Sequence, residues 1–502
     1  MSMTTLLSDP QTASALLPEF TLIVGIVLMI LVPNLGKGTF RVPIPNTNIR
    51  IPYLLGGDRF TFTSSPRIPG TISVFTLLFS TSLALWSQME TPISGSNVWC
   101  ISTAGEAFAS CAGMVDPSIF QIDGFSRLLE IVFYGSLMLC AIAMWSRMPA
   151  TPRFMIHAQV LAGRREDERI QKLLDNRRQV DFHLLLLMVA LGMSVVALAS
   201  DVFVLFIGLE LASLSSYVLI AFMKENEEAP EAGMKYFILG SVASAVGLYG
   251  ISLLYLWNGN LQMSDLAASW QAMDGIDPMA LTGIAFLMVT IGFKVSAAPF
   301  HLATPDAYTG AASPVAGVLA TGSKAMGFVV LLRVLVTITM PESGEAFWVP
   351  IVGLLAAITM TWGNLGALSS NNPKRMLAYS SVAHAGYLLA AVAALGLNQA
   401  RAGDHVISEL IVAAILFHLT VLVLFKLGAF LVLSMLESEG KGSKLEDLYG
   451  LAKREPLLAT ALFVFMLALA GVPPLAGFLS KLLLVSGIVD ATIHTSMTFD
   501  DG

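Results

Sequence analysis

Six basic side chains, Lys235, Lys294, Lys324, Arg333, Lys426 and Lys481, interrupt long apolar runs of this chain. At the centre of a membrane helix each costs about 2.5–3.5 kcal/mol, so such groups must be paired, hydrated or both. Arg333 falls near the end of its run, where a long side chain can snorkel to the interface. The five lysines are suited to passing protons, because an ammonium withdrawn from water gives up its proton where a guanidinium does not. Glu210 is their acidic counterpart, nine residues after Asp201 and therefore ~13–14 Å along its helix, close to mid-membrane. Lys324 is similarly central, eleven residues after Ser313. A Glu–Lys pair can be a static lock between two helices. It can also be a switch that retains the lysine's proton when closed and passes it on when open.

Histidines extend the row. His301 follows Pro299, His384 lies mid-run, and His418 precedes Lys426 by eight residues, ~12 Å along one rough helix face. A lone histidine in an apolar run is more often a satisfied core side chain than a relay; three among buried lysines leave both readings open. No two histidines stand at helical ligand spacing with a carboxylate, which argues against a metal. Three cysteines are too few for an iron–sulfur cluster or a thiolate site.

The elements that must hold these groups are membrane helices. Of 502 residues 55% are hydrophobic and 13% charged, against about 25% charged in soluble domains, and apolar runs near the ~20 residues of a bilayer crossing recur throughout. Twelve spans are expected, at about 17–34, 70–88, 124–146, 182–199, 201–222, 233–257, 280–303, 313–337, 347–368, 376–396, 406–436 and 456–489. The first lacks a basic leader and a cleavage site, so it reads as a membrane helix and not a signal peptide. No lipidation or nucleic-acid motif stands out.

Lys and Arg fix an orientation. Five fall in the loop 37–68 and eight in 147–181, followed on loops of the same parity by Lys224, Lys374, Arg375, Lys441, Lys444, Lys453 and Arg454. Loops of the other parity hold Arg401 and, at the edge of the third span, Arg127. Twenty against two puts the basic loops in the cytoplasm and the N-terminus outside.

The seventh and twelfth spans are interrupted, the first by Pro299 and Pro305 after Lys294, the second by Pro473 and Pro474 before Lys481. Non-helical backbone at membrane depth is tolerated where it lines a cavity, and paired interruptions point to inverted repeats. The division expected is 1–146 for three N-terminal spans with inserted loops, 147–181 for a charged cytoplasmic insertion, 182–337 for a first repeat, 347–489 for an incomplete second repeat, and 490–502 for a polar tail. Residues 40–53 alternate around a polar turn as a small edge hairpin. Residues 160–180 read as a charged helix with Ile170, Leu173 and Leu174 on one side, either solvated or docking a partner subunit. Cys100 and Cys111 share an outer loop where a disulfide is plausible; Cys140 is a core residue.

Five stretches carry a resemblance: Val204-Leu-Phe-Ile-Gly-Leu-Glu-Leu; Met234-Lys-Tyr-Phe-Ile-Leu-Gly-Ser; Gly292-Phe-Lys-Val-Ser-Ala-Ala-Pro-Phe-His, continuing to Ser323-Lys-Ala; Lys374-Arg-Met-Leu-Ala-Tyr-Ser-Ser-Val-Ala-His-Ala-Gly-Tyr; and Leu469-Ala-Gly-Val-Pro-Pro-Leu-Ala-Gly-Phe-Leu-Ser-Lys. Over roughly 120–490 the chain resembles the N-type antiporter-like subunit (subunit 2) of respiratory complex I, the proton-translocating NADH:quinone oxidoreductase. The resemblance implies an all-α polytopic fold of fourteen helices, with Glu210 and Lys294 as the carboxylate–lysine pair. By the same token Lys324 is the central lysine, Lys481 the lysine of the second broken helix and Lys235 the lysine opening the sixth.

It further implies no cofactor in this chain and no direct NADH binding, with quinone and iron–sulfur or flavin centres in partner subunits. Its partners would be other membrane-arm subunits and the lipid of an inner (plasma) or equivalent energy-coupling membrane. The chain departs from the pattern in longer loops at 37–69, 98–118 and 147–181. Lys426 stands where the N-type usually has Asn; with His418 it is similar to the L- and M-type sister subunits. Helices thirteen and fourteen are not among the 502 residues, so truncation or a separate chain would account for them. Two rival readings remain, a subunit of a multi-subunit cation/proton antiporter and a structural membrane spacer with static ion pairs. The electron donor is left open.

Overall fold

The computed structural model describes residues 16–32, 35–41, 50–54, 67–90, 99–100, 119–145, 165–223, 226–273, 275, 277–341, 346–399, 405–442 and 444–497. Fifteen helices are used below: α1 (Leu17–Leu31), α2 (Ile68–Glu90), α3 (Gly124–Ala143), α4 (Arg165–Leu198), α5 (Val202–Ile220), α6 (Glu228–Asn258), α7 (Met263–Gln271), α8 (Pro278–Val295), α9 (Thr304–Gly310), α10 (Ser313–Ile338), α11 (Val349–Leu368), α12 (Pro373–Gln399), α13 (His405–Ser438), α14 (Pro456–Ala470) and α15 (Ala476–Met497). Among the described residues eleven spans are long and apolar enough to cross a membrane. The chain is an all-α polytopic membrane protein.

Local chemistry sets the helix starts. Asp201 Oδ1 accepts the Phe203 and Val204 amides at 2.8 and 3.0 Å, and Asp277 Oδ1 accepts those of Met279 and Ala280 at 2.7 and 3.2 Å. Each cap satisfies amides that a helix start leaves unpaired. Asp123 and Ser126 close a reciprocal capping box at the start of α3. α10 is buried along its length except near its end, at Val336 and Thr337. Glycine permits some of these contacts: a Cβ at Gly250 on α6 would stand 2.6 Å from the Gly283 carbonyl on α8, so the two backbones meet directly.

One expectation holds and three change. The charged segment 160–180 is not a separate helix, because α4 runs unbroken from Arg165 into the fourth span. The seventh span is interrupted where expected, into α8 and α9 joined by a 3₁₀ turn at Phe300–Ala303. The twelfth is also two pieces: α14 is fifteen residues, while the apolar stretch Ala476–Ile493 of α15 has the length of a crossing by itself. The amphipathic α7, which buries Met263, Leu266 and Trp270, had no counterpart in the reading of spans.

The expected hairpin is present as β1 (Leu35–Arg41) paired antiparallel with β2 (Arg50–Leu54), Phe40 opposite Ile51. A second ribbon pairs β3 (Trp99–Cys100) with β4 (Gln121–Ile122). Cys111 lies outside the described residues, as does any bond it makes; Cys140 is buried and free.

Candidate functional site

The cap at Asp201 starts α5 so that Glu210 lies at mid-helix, where its Oε1 accepts the Ser244 hydroxyl of α6 at 2.5 Å. Lys294, the penultimate residue of α8, is buried within electrostatic reach of Glu210. The two do not form the expected direct pair: the ammonium lies 5.3 Å from the ring centre of Tyr217 and 5.9 Å from that of Phe293. Aromatic faces attract a cation at such distances. The arrangement is an open pair, each member held by a different neighbour.

α8 ends at Ser296, whose φ of 60° is unusual for a residue with a side chain. Thr304 donates to its hydroxyl at 2.9 Å, tying the two sides of the break, and the Ala298 amide donates to Thr359 Oγ1 at 2.9 Å, so a side chain satisfies that freed amide. The break carries His301, 2% exposed, its ring 5.5 Å from that of Trp362 and both nitrogens without a hydrogen-bond partner.

α10 supplies the centre. Its first turns pass into a π-helical stretch at Leu319–Ser323, and Lys324 follows at once. π turns widen a helix and are frequent at functional sites. Lys324 is 1% exposed and donates to the Ser381 carbonyl of α12 at 2.7 Å. The lysines of α8 and α10 can be neighbours because Gly327 faces Lys294; a Cβ there would lie 3.2 Å from the Lys294 Cβ.

From Ser381 the groups continue along one face of α12 at three-residue steps, Ser381, His384 and Tyr387. His384 Nδ1 lies 3.0 Å from His418 Nε2 on α13, and His418 Nδ1 lies 3.0 Å from Ser480 Oγ on α15. Next to Ser480, Lys481 donates to the carbonyls of Leu469 and Ala470 at 2.7 and 3.2 Å, capping α14 across the break. Its ammonium also stands 5.6 Å from the Tyr387 ring centre. Lys426 is completely buried, without a hydrogen-bond partner for its ammonium and within electrostatic reach of Lys324, Lys481 and His384.

The structure therefore brings together Lys294, Lys324, His384, His418, Lys426 and Lys481, with His301 and Glu210 at one end. It does not bring Lys235 in. That lysine is 49% exposed and pairs with Glu231 at 2.6 Å and Asp306 at 3.4 Å. Arg333 does not snorkel: it is buried and donates to the carbonyls of Ala197 and Ala199 at the end of α4.

Sequence reasoning missed Ser244, Tyr217, Ser381, Tyr387 and Ser480. It also counted Lys374 as a loop charge. Lys374 is buried and donates to Glu437 at 2.8 Å and to the Ala311 carbonyl at 2.6 Å, while Glu437 accepts the Ser313 amide at 3.2 Å. These groups border a cavity of about 220 Å³ at the start of α10.

Residues 199–500 match the family described as NADH:quinone oxidoreductase/Mrp antiporter, TM. NADH-quinone oxidoreductase subunit N of Heliobacterium modesticaldum is 41% identical over 316 residues, 62% of this chain and 63% of that protein. Subunit N of Sphingopyxis alaskensis is 36% identical over 386 residues, 76% of this chain and 72% of that one. The match thus spans less than two thirds of the length of the Heliobacterium relative. A chain of respiratory complex I from Thermus thermophilus superposes with a TM-score of 0.64 at 28% identity, covering 95% of this chain and 83% of that one. A chain of the Mrp complex from Dietzia sp. gives 0.70 at 22% identity, over 96% and 74%, a likeness of fold alone.

Proposed function

Because the chain belongs to the NADH:quinone oxidoreductase/Mrp antiporter membrane family, we propose that it is a proton-translocating membrane-arm subunit of a complex I-type quinone oxidoreductase. The observation that carries this reading is the file of polar groups from Lys324 through Ser381, His384, His418 and Ser480, all buried in an apolar interior, to the half-buried Lys481. A static ion-pair lock would set lysines against carboxylates. Here Lys324 and Lys481 hold backbone carbonyls, and Lys426 holds nothing among the described residues.

In this reading protons enter from the cavity bordered by Lys374 and Glu437 at the basic-loop side of the membrane. Glu210 and Lys294 are the input pair, open in this state. A proton leaving Lys294 passes to Lys324 over bridging water, then to the histidines. Each imidazole accepts at one nitrogen while donating at the other, so a hydrogen-bonded pair can pass a proton without moving as a whole. Lys426 and Lys481 receive it on the far side. His301 stands beside the Lys324 step, and Lys235 with Asp306 and Arg375 tethers the cytoplasmic ends of α6, α9 and α12. Energy would come from quinone reduction at redox centres in partner subunits. Residues 182–337 and 347–489 would be inverted repeats, each with one broken helix, in an energy-coupling membrane with the N-terminus outside.

The test is transport by the reconstituted complex. Lys294→Ala should retain part of quinone reduction and lose proton uptake. Unchanged pumping per electron would instead make the chain a spacer. The family also contains Mrp antiporters, so sodium-driven proton exchange without any electron donor would replace this reading with that of a cation/proton exchanger subunit.

A further inference from the structure

A second charged cluster lies apart from the lysine–histidine file, where α1, α3 and α4 meet. Arg127, placed by the sequence at an outer loop edge, is fully buried. Its Nη1 donates to Glu130 Oε2 at 2.5 Å and to Glu19 Oε1 at 3.2 Å. Glu130 Oε1 also accepts the Tyr134 hydroxyl at 3.4 Å. Ser194 Oγ lies 2.7 Å from Glu130 Oε1 and 3.0 Å from Glu19 Oε1.

Two counts make this cluster more than a salt bridge. Among the described residues two carboxyls face one guanidinium, which leaves a net negative charge on a buried cluster, a costly state. Donors are short as well. A serine hydroxyl carries one hydrogen, yet Ser194 Oγ is within hydrogen-bond distance of two carboxyl oxygens. If it donates to Glu130, the nearer, the contact with Glu19 needs a hydrogen that belongs to Glu19.

The remaining oxygen points the same way. Among the described residues Glu19 Oε2 is buried with no hydrogen-bond partner, a poor position for an ionised carboxylate but a tolerable one for a neutral acid. Glu130, by contrast, has both oxygens satisfied, one by Arg127 and one by hydroxyls.

We propose that Glu19, Glu130 and Ser194 hold one exchangeable proton between them, resident on Glu19, with Glu130 ionised against Arg127. The ligand of this second site is a proton, and no step of the lysine–histidine file depends on it. Among the described residues, α3 contributes Arg127, Glu130 and Tyr134 to it and α4 contributes Ser194. From α2, Ser80 donates to the Pro18 carbonyl, next to Glu19 in sequence, at 3.1 Å. Transfer is a simple exchange: Glu19 gives its proton to Ser194 Oγ as Ser194 gives its own to Glu130. Arg127 lies within contact of both carboxyls, so it can follow the negative charge.

The experiment is infrared spectroscopy of the full chain in lipid nanodiscs, read at the carboxylic-acid carbonyl stretch near neutral pH. Wild type should show one buried acid band at this site. The isosteric Glu19→Gln removes it, since Glu130 stays ionised. Glu130→Gln removes it too, since Glu19 must then ionise against Arg127. Arg127→Gln doubles it, since neither carboxyl keeps a cation. A wild-type spectrum whose acid bands are unchanged by both glutamine variants overturns the proposal. Should the variants fail to fold, NMR of the ¹³C-glutamate-labelled Glu210→Gln chain, with the cluster itself unaltered, decides. A neutral, exchange-protected glutamate carboxyl supports the site, and its absence refutes it.

Discussion

His384 Nδ1 and His418 Nε2 face each other at 3.0 Å across the contact of α12 and α13, their rings 5.2 Å apart and tilted by 30°. With Ser480 on the far nitrogen of His418, this is a polar bridge from α12 to the second broken helix. Removing its middle member should interrupt transport more than assembly. His418→Gln keeps a hydrogen-bonding side chain but cannot carry a proton, and the loss of a proton-transfer group costs about 10²-fold or more in rate. The expected outcome is intact complex with proton uptake reduced about a hundredfold or more. Normal uptake in vesicles would remove the histidines from the path.

Lys481 has two separable duties, capping α14 and exchanging a proton. Lys481→Met leaves two helix-end carbonyls without their donor and should cost about 1–3 kcal/mol. Lys481→Arg restores the donor but holds its proton. Thermal unfolding should therefore rank wild type and arginine together above methionine, while transport separates wild type from both. Transport by the arginine variant at wild-type rate would show that the lysine serves only as a cap.

Arg333 is a prediction about stability alone. It closes the end of α4 through charged hydrogen bonds to Ala197 and Ala199, worth about 1.5–3 kcal/mol each. Arg333→Met should lower the unfolding midpoint clearly, and the protein that remains folded should pump at the wild-type rate per molecule.

Gly327 spaces the two lysines. Gly327→Val inserts branches where even a Cβ would approach Lys294 to 3.2 Å, and overpacking of this kind costs about 1–3 kcal/mol. Because the strain falls on the Lys294 stem, proton uptake should fall further than the change in melting temperature explains. Equal losses in both would mean that the spacing is merely structural.

Much of this was written in composition and spacing. The spans, both interruptions and the presence of Lys324, His384, His418 and Lys426 at membrane depth follow from polar residues breaking apolar runs, because the cost of burying them demands a reason. What spacing could not supply was which side of a helix faces protein. Arg127 was taken for an outer charge, although Glu130 three residues on is a helical neighbour and was the available sign of an internal pair. Lys235 was counted as buried because its turn of α6 reads as apolar, yet it lies toward Asp306 at the open end. Ser381 and Tyr387 flank His384 at the spacing of one face, but serine and tyrosine are too common in such helices to be singled out. The distance between Glu210 and Lys294 depends on how α5 and α8 pack, which neither sequence stretch contains.

The wide turn in α10 fixes where its central lysine aims. A π stretch takes up a residue that an ordinary helix would not, so the backbone on either side keeps its bearing. Were Leu319–Ser323 to wind down to an α-helical turn, everything after it would swing by about 100° about the axis. Lys324 would then turn its back on Ser381 and the histidines beyond. The compass bearing of this one ammonium is written in how loosely the preceding five residues are coiled.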